Sequence, residues 1–163
     1  MHGNSKTPLL VVEDSDEDFE VLQIFMEDMA VTNPIYRCTT GDKALDFLYR
    51  NQGEESTQKV TRPSMILLDL NLPGTDGREV LERLKQDDEF REIPIVIFTT
   101  NSDPRDIKLC YRKGANGYLI KPVGTERFER AIQAFVDYWL HTNMPPDWVE
   151  LTGLNECQVK DEE

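Results

Sequence analysis

The sequence predicts an α/β fold, in which five parallel strands form one doubly wound sheet with the order (βα)5. Two observations carry this prediction. Short apolar runs alternate along the chain with segments of helical periodicity, which is typical of a parallel sheet covered by helices on both faces. In addition, four of the five apolar runs end in carboxylate, hydroxyl or ammonium side chains.

Five short segments have the composition of strands. Leu9–Val12 and Met65–Leu68 are continuous apolar runs, as expected for strands that are buried on both faces of a sheet. Residues 93–98 and 117–120 have the same character, whereas residues 35–39 alternate only weakly. The chain is therefore predicted to place its strongest strands first, third, fourth and fifth.

The helices are predicted from their start and stop signals. Ser15 is a good N-cap, and Asp18 three residues later nearly completes a capping box. Asp76 precedes the third helix in the same way. Asp103 followed by Pro104 begins the fourth helix, which is expected to end at Gly114.

The last helix is unusually apolar. Its core-facing positions are expected to be Phe128, Ile132, Phe135 and Trp139, which repeat at helical spacing. Val136 and Leu140 fall on another side of the helix. Two interpretations are open: the C-terminal tail folds back over this second side, or it forms a dimer interface that Trp148, Val149 and Leu151 extend.

Composition limits the possible functions. The chain has 163 residues and a formal net charge of −13, which argues against nucleic acid because phosphate binding needs basic patches. The sequence shows no signal peptide and no apolar run of membrane-spanning length, so a cytoplasmic protein without membrane contacts is expected. Its three cysteines lack metal-ligand spacing and are expected to be free thiols.

The chain is predicted to contain one domain, over residues 8–142. Residues 1–7 form an N-terminal segment, and residues 143–163 form an acidic C-terminal extension. The polar stretch between Arg50 and Arg62 is interpreted as a long surface loop. No DNA-binding pattern follows His141.

The polar residues that follow the strands are expected to converge. In a parallel sheet the carboxyl ends lie at one edge, which brings together Glu13, Asp14, Asp69, Thr99 and Lys121. Each residue alone has an ordinary structural explanation as a turn former, β-former or surface charge. Together, the three carboxylates repel one another unless a cation joins them, and oxygen ligands at this density suit Mg²⁺.

These motifs resemble the receiver domain of two-component response regulators. The matching stretches cover roughly residues 8–141, and their order and position make the set specific. They are Val12-Glu13-Asp14, Leu68-Asp69-Leu70-Asn71-Leu72-Pro73-Gly74-Thr75-Asp76-Gly77, Phe98-Thr99-Thr100 and Tyr118-Leu119-Ile120-Lys121-Pro122. The resemblance implies the flavodoxin-like topology of that family.

The resemblance also implies a role for each site residue. Asp69 is the phosphoacceptor, and Thr99 and Lys121 contact the phosphoryl group. Glu13, Asp14, Asp69 and the backbone carbonyl of Asn71 hold Mg²⁺, with Mn²⁺ as a possible substitute. Thr99 and Tyr118 form the switch pair, and the Lys121–Pro122 peptide is expected to be cis. Such a domain phosphorylates and dephosphorylates itself rather than turning over a separate substrate.

Partners follow from the same resemblance. A sensor histidine kinase is the expected phosphodonor. Because no DNA-binding pattern follows His141, the expected output is a partner protein or onward phosphoryl transfer. The long loop and the C-terminal extension resemble the single-domain response regulators of cyanobacterial phytochromes, which implies a light-regulated kinase. Receiver domains commonly form homodimers through the fourth helix, fifth strand and fifth helix, and the same is expected here.

Two alternatives from other functional classes remain. Mg²⁺-dependent phosphohydrolases with an aspartate nucleophile have a second Asp two residues later, where this chain has Asn71. A receiver-like binding module that never carries phosphate has usually lost an acid or the lysine, whereas this chain has all of them. Both comparisons favour the phosphorylated receiver.

Overall fold

The computed structural model of the chain describes residues 7–50 and 62–146. In chain order, the elements are β1 (Leu9–Val12), α1 (Asp16–Asp28), β2 (Ile35–Cys38), α2 (Gly41–Arg50), β3 (Met65–Leu68), α3 (Gly77–Gln86), β4 (Ile95–Thr99), α4 (Pro104–Arg112), β5 (Gly117–Ile120) and α5 (Thr125–Phe135), followed by a π-helical turn (Val136–Leu140). The predicted 50–62 loop, Cys157 and the apolar tail residues Trp148, Val149 and Leu151 lie outside the described residues.

All five strands are parallel and are arranged in the order β2-β1-β3-β4-β5. This is the flavodoxin-like, doubly wound arrangement, so the predicted fold class is confirmed. The strand order reverses direction between β1 and β3. The carboxyl ends of these two strands therefore flank the crevice where open α/β sheets place their ligands.

The core has two layers, one on each face of the sheet. Successive strand residues point to opposite faces, so Leu10 packs on one side and Leu9 on the other. The first layer contains apolar side chains of α2, α3 and α4, and the second contains those of α1, α5 and the π-helical turn. The continuous apolar runs in the sequence are explained by this double coverage.

Most predicted helix boundaries are confirmed. The side chains of Ser15, Asp76 and Asp103 accept hydrogen bonds from backbone N–H groups at the starts of α1, α3 and α4. Gly114 follows α4 with φ +105°, a conformation that glycine adopts without strain. The fourth strand begins at Ile95 rather than residue 93, because Ile93 instead closes the preceding turn with a hydrogen bond to the Phe90 carbonyl.

The prediction that Val136 and Leu140 lie on a second side of the last helix, away from the core, is wrong. Val136 and Leu140 are buried in the domain core, with 0% and 3% of their surfaces exposed, and do not present a free apolar face. Val136 follows the core residue Ile132 at the i+4 spacing of one helical face. For Leu140 the reason is the π-helical turn, which widens the helix locally and shifts the phase of the residues in it. Both side chains thereby join the layer formed by α1 and α5.

Candidate functional site

Backbone hydrogen bonds between neighbouring strands fix the residues at the carboxyl edge of the sheet. The Asp69 N–H donates to the Val12 carbonyl (3.0 Å), and the Lys121 N–H donates to the Thr99 carbonyl (2.7 Å). In the same way, the Glu13 N–H donates to the Cys38 carbonyl. The functional side chains therefore project from a rigid edge, although most of them lie just beyond the regular strands.

Three carboxylates come together at this edge, as the sequence predicted. Ligand oxygens of Glu13, Asp14 and Asp69 lie within 4.8 Å of one another. Glu13 and Asp69 are buried, whereas Asp14 is exposed at the mouth of the site. The donor set consists of carboxylate oxygens, and its negative charge is concentrated in a small volume. It fits a hard divalent cation such as Mg²⁺ or Mn²⁺.

Lys121 is the cation at the centre of the site. Its Nζ donates to Glu13 (2.7 Å), Asp18 (2.8 Å) and Asp69 (3.0 Å), and its side chain is only 5% exposed. The ammonium also lies 5.6 Å from the centre of the Phe98 ring. Lys121 is thus a buried, fully paired charge rather than a solvated surface residue.

The pKa values of Glu13 and Lys121 are shifted by their surroundings. Burial raises the pKa of Glu13 to about 7, although the hydrogen bond and charge of Lys121 act in the opposite direction. Burial lowers the pKa of Lys121, but hydrogen bonds to Asp18 and Glu13 outweigh it and raise the pKa above its usual range. Lys121 is therefore charged at neutral pH.

Asp69 is oriented by two donors. One carboxylate oxygen accepts the Asn71 N–H (3.2 Å), and the other accepts the Lys121 ammonium. The turn that follows is held close by Gly77, the first residue of α3. A Cβ atom added to Gly77 would lie 2.2 Å from the Asp69 carbonyl oxygen, so only glycine allows this approach. The backbone carbonyl of Asn71 as a metal ligand stays a prediction.

Thr99 and Tyr118 are linked through Asn101. The hydroxyl of buried Thr99 accepts the Asn101 N–H (3.4 Å), and the Tyr118 hydroxyl donates to the Asn101 carbonyl (2.7 Å). The Tyr118 ring is half-buried against the first core layer, and burial raises the pKa of its hydroxyl to about 12. The two predicted switch residues therefore share one intermediary, which the sequence analysis did not identify.

Asn101 also connects this pair to α3 and α4. Its side-chain amide donates to Asp106 (2.8 Å), and Asp106 accepts the guanidinium of Arg78 (2.8 Å). Arg78 in turn contacts Asp76, the N-cap of α3. A continuous polar network thus runs from Thr99 to the start of α3.

Sequence reasoning missed two further residues at the site. The Asp18 carboxylate accepts a hydrogen bond from Lys121 and does not bond to the Ser15 N–H. The Ser15 N–H donates to Glu13, and the Ser15 hydroxyl accepts the Asp18 N–H, so the predicted capping box is only half formed. Arg37 donates to the Glu13 carbonyl (3.0 Å), forms an ion pair with Asp16 and lies over the Phe19 ring.

The prediction of a cis Lys121–Pro122 peptide is wrong, because every peptide bond within the described residues is trans.

The remaining predictions from composition concern the cysteines and the membrane. Cys38 and Cys110 are free, as expected, and both are buried. Among the described residues, no helix is both long enough and apolar enough to cross a membrane.

A crevice that combines clustered carboxylates, a buried lysine and a threonine at the carboxyl edge of a flavodoxin-like sheet is the arrangement of a receiver domain. The chain belongs to the response regulator receiver domain family, whose pattern matches residues 9–133. The family resemblance noted in the sequence is therefore confirmed.

Among its relatives, the chain is similar to response regulator Rcp1 of Synechocystis, with 34% identity over 86% of this chain and 93% of Rcp1. It is 35% identical to a probable methanogenesis regulatory protein, FilR2, of Methanothrix harundinacea, over 85% of this chain and 86% of FilR2.

Solved structures give the same grouping. The Mn²⁺-bound form of Rcp1 superposes with a TM-score of 0.78 at 34% identity, and covers 86% of this chain and 99% of Rcp1. The phosphorylated cyanobacterial phytochrome response regulator RcpA gives a TM-score of 0.79 at 31% identity, with the same coverage. The relation to phytochrome response regulators is thus seen in both sequence and structure.

Proposed function

We propose that Asp69 accepts a phosphoryl group from the phosphohistidine of a sensor histidine kinase and that the phosphorylated protein signals through partner proteins or relays the group onward. The observation that supports this proposal is the structural environment of Asp69. Its carboxylate is buried at the topological switch point, oriented by Asn71 and Lys121, and adjacent to two more carboxylates.

In the transfer step, one Asp69 oxygen forms a new bond to phosphorus while the donor P–N bond breaks. The electron pair of the broken bond returns to the imidazole of the kinase, and an acyl phosphate results. Lys121 pairs with one phosphoryl oxygen, and the Thr99 hydroxyl donates to another. Hydrolysis of the acyl phosphate by water then resets the domain.

Glu13, Asp14 and Asp69 would hold Mg²⁺, together with the backbone carbonyl of Asn71. Mn²⁺ is a reasonable substitute, since Rcp1 is known in a Mn²⁺-bound form. The bound ion supplies positive charge that offsets the charge of the transferring phosphoryl group. At a tenfold excess of Mg²⁺ over its Kd, the folded state should gain about 1.4 kcal/mol. A melting temperature unaffected by millimolar Mg²⁺ would contradict this assignment.

The Thr99–Asn101–Tyr118 connection is the proposed route from phosphorylation to the protein surface. When Thr99 donates to the phosphoryl group, its contact with the Asn101 N–H changes. Because Tyr118 is bonded to the Asn101 carbonyl, the position of its ring responds. The surface formed by α4 and β5 then differs between the two states.

A phytochrome-type histidine kinase in the cytoplasm is the proposed donor. The likeness to RcpA, a cyanobacterial phytochrome response regulator, supports this choice. Phosphotransfer from a phytochrome kinase should be faster than from an unrelated histidine kinase at equal concentration. Equal rates would leave the receiver assignment intact but remove the phytochrome link. The net charge of −13 favours protein partners over nucleic acid or anionic membranes.

Homodimerisation through α4, β5 and α5 is the proposed assembly. Apolar side chains are exposed on or next to each of these elements: Tyr111, Ile120 and Tyr138. A Tyr111→Glu variant should shift a wild-type dimer to monomer in sedimentation experiments, with Ile24→Glu on α1 as the matched control. Wild-type protein that sediments as a monomer with and without phosphorylation would contradict the dimer.

Incubation with acetyl phosphate and Mg²⁺, followed by intact mass measurement, tests the central assignment. The wild type should gain one phosphoryl group, and Asp69→Asn should gain none. Asp46→Asn, which removes an exposed carboxylate from α2, should behave like the wild type. The proposal fails if no adduct forms in the wild type or if Asp69→Asn forms as much of it.

A further inference from the structure

We infer that Asp18 is a positioning residue that competes with the phosphoryl group for Lys121. This inference rests on the proposed function of Asp69 and concerns the regulation of the same site. Asp18 lies in the first turn of α1, outside the set of strand-end residues that form the rest of the site.

The argument begins with the hydrogen-bonding capacity of Lys121. An ammonium group has three N–H donors, and three carboxylates surround it here at 2.7–3.0 Å. Lys121 cannot gain a phosphoryl oxygen as a further strong acceptor without weakening one of these contacts. Phosphorylation of Asp69 therefore requires an exchange of partners.

Asp18 is the partner that Lys121 releases most easily. The side chain of Asp18 is 38% exposed, compared with 5% for Glu13 and 7% for Asp69. Water can solvate a released Asp18 carboxylate, whereas a released Glu13 would stay buried without its cation. The position of Asp18 in the first turn of α1 adds the favourable helix dipole.

The surroundings of Asp18 leave space for this movement. A cavity of about 210 Å³ opens beside it, and is lined by Asp18, Val21, Pro122, Gly124, Thr125 and Phe128. The carboxylate can turn into this space and lose contact with Lys121 without displacing the core.

The test measures the rate of phosphorylation by acetyl phosphate in the full chain. The Asp69 oxygen bonds to phosphorus, and acetate leaves with the electron pair of the broken P–O bond. Asp18→Asn should react about 1.5- to fivefold faster than the wild type, the range expected for a partly exposed ion pair. Asp18→Glu should restore a rate near that of the wild type, since its carboxylate can again reach Lys121.

Glu17→Gln is the matched control, because it removes an exposed carboxylate from the same helical turn. A second measurement shows whether Asp18 acts through Lys121. In a Lys121→Met background, the additional Asp18→Asn change should have no more effect than Glu17→Gln has.

The outcomes separate this inference from the proposed function. If the wild type does not react at all, the proposed function fails. If the wild type reacts but Asp18→Asn is no faster than Glu17→Gln, only the role of Asp18 is overturned. An acceleration that persists without Lys121 would also overturn it, because the effect would then be one of charge alone.

Discussion

Lys121 and Glu13 form a buried ion pair, with Nζ 2.7 Å from Oε2 and both side chains 5% exposed. The pair joins the end of β5 to the end of β1, at opposite sides of β3 and β4 in the sheet. Asp69 lies between them and shares the same ammonium. The site is therefore held together by one cation until a metal ion is bound.

Replacement of Lys121 by Met should destabilise the domain strongly in the absence of Mg²⁺. Removing one partner of a buried charge cluster leaves carboxylates without compensation, and the expected loss is about 3 kcal/mol. The loss should be smaller at pH 5.5 than at pH 7.5, because Glu13, whose pKa burial raises to about 7, takes up a proton at the lower pH. Urea unfolding at the two pH values measures it, with exposed Lys108→Met as the control. Equal losses for both variants would contradict the central role of Lys121.

Glu13 should make the metal-free domain less stable as the pH rises towards neutrality. The pKa of Glu13 in the folded state is raised to about 7 by burial, above its ordinary value of 4.5. The folded state therefore binds more protons than the unfolded chain between these values. The stability that this group contributes is fully present below about pH 4.5 and is lost as the pH rises through about 7.

The measurement compares the wild type with Glu13→Gln in EDTA, from pH 4.5 to 8. As the pH rises across this window, the unfolding free energy of the wild type should fall relative to that of Glu13→Gln. Excess Mg²⁺ should oppose the shift, since metal binding favours the charged carboxylate. A difference that is constant over the whole range would show that Glu13 does not titrate as described.

The hydroxyl of Tyr118 should stabilise the fold by a modest amount that is separable from its ring. Tyr118→Phe removes the bond to the Asn101 carbonyl but keeps the packing, and should cost about 1 kcal/mol. Tyr111→Phe on α4, where the ring is 50% exposed, should cost little. Chemical denaturation of the three proteins checks this. Equal stability of Tyr118→Phe and the wild type would argue against the link between Asn101 and Tyr118.

Two substitutions near the end of the last helix should have opposite consequences. Val136→Glu places a carboxylate in the core and should unfold the domain or destabilise it by several kcal/mol (about 3 or more). Tyr138→Glu, at a half-exposed position two residues later, should leave the fold intact. Circular dichroism melting distinguishes them. A folded Val136→Glu protein would contradict the burial of Val136 in the core.

The sequence was sufficient to predict the strands, the helix caps and which polar residues meet at the edge of the sheet, for a simple physical reason. A parallel sheet brings the ends of all its strands to one edge, so residues after apolar runs identify the site without knowledge of side-chain positions. Glu13, Asp14, Asp69 and Lys121 all follow this rule.

Asp18 and Leu140 illustrate what the sequence could not provide. Asp18 already had a local explanation as part of a capping box, and its true partner is 103 residues away. Leu140 was assigned to the wrong side because a regular helical period was assumed, whereas the structure has a π-helical turn that ends at this residue. Neither contact leaves a local signal that competes with the simpler interpretation.

The central claim is that Asp69 carries the phosphoryl group, and chemical trapping tests it most directly. The wild-type protein is phosphorylated by a histidine kinase, reduced with borohydride, digested and sequenced by mass spectrometry. Borohydride converts an aspartyl phosphate to homoserine, so homoserine should be found at position 69. Homoserine at Asp14 or another carboxylate, with an unmodified Asp69, would contradict the account.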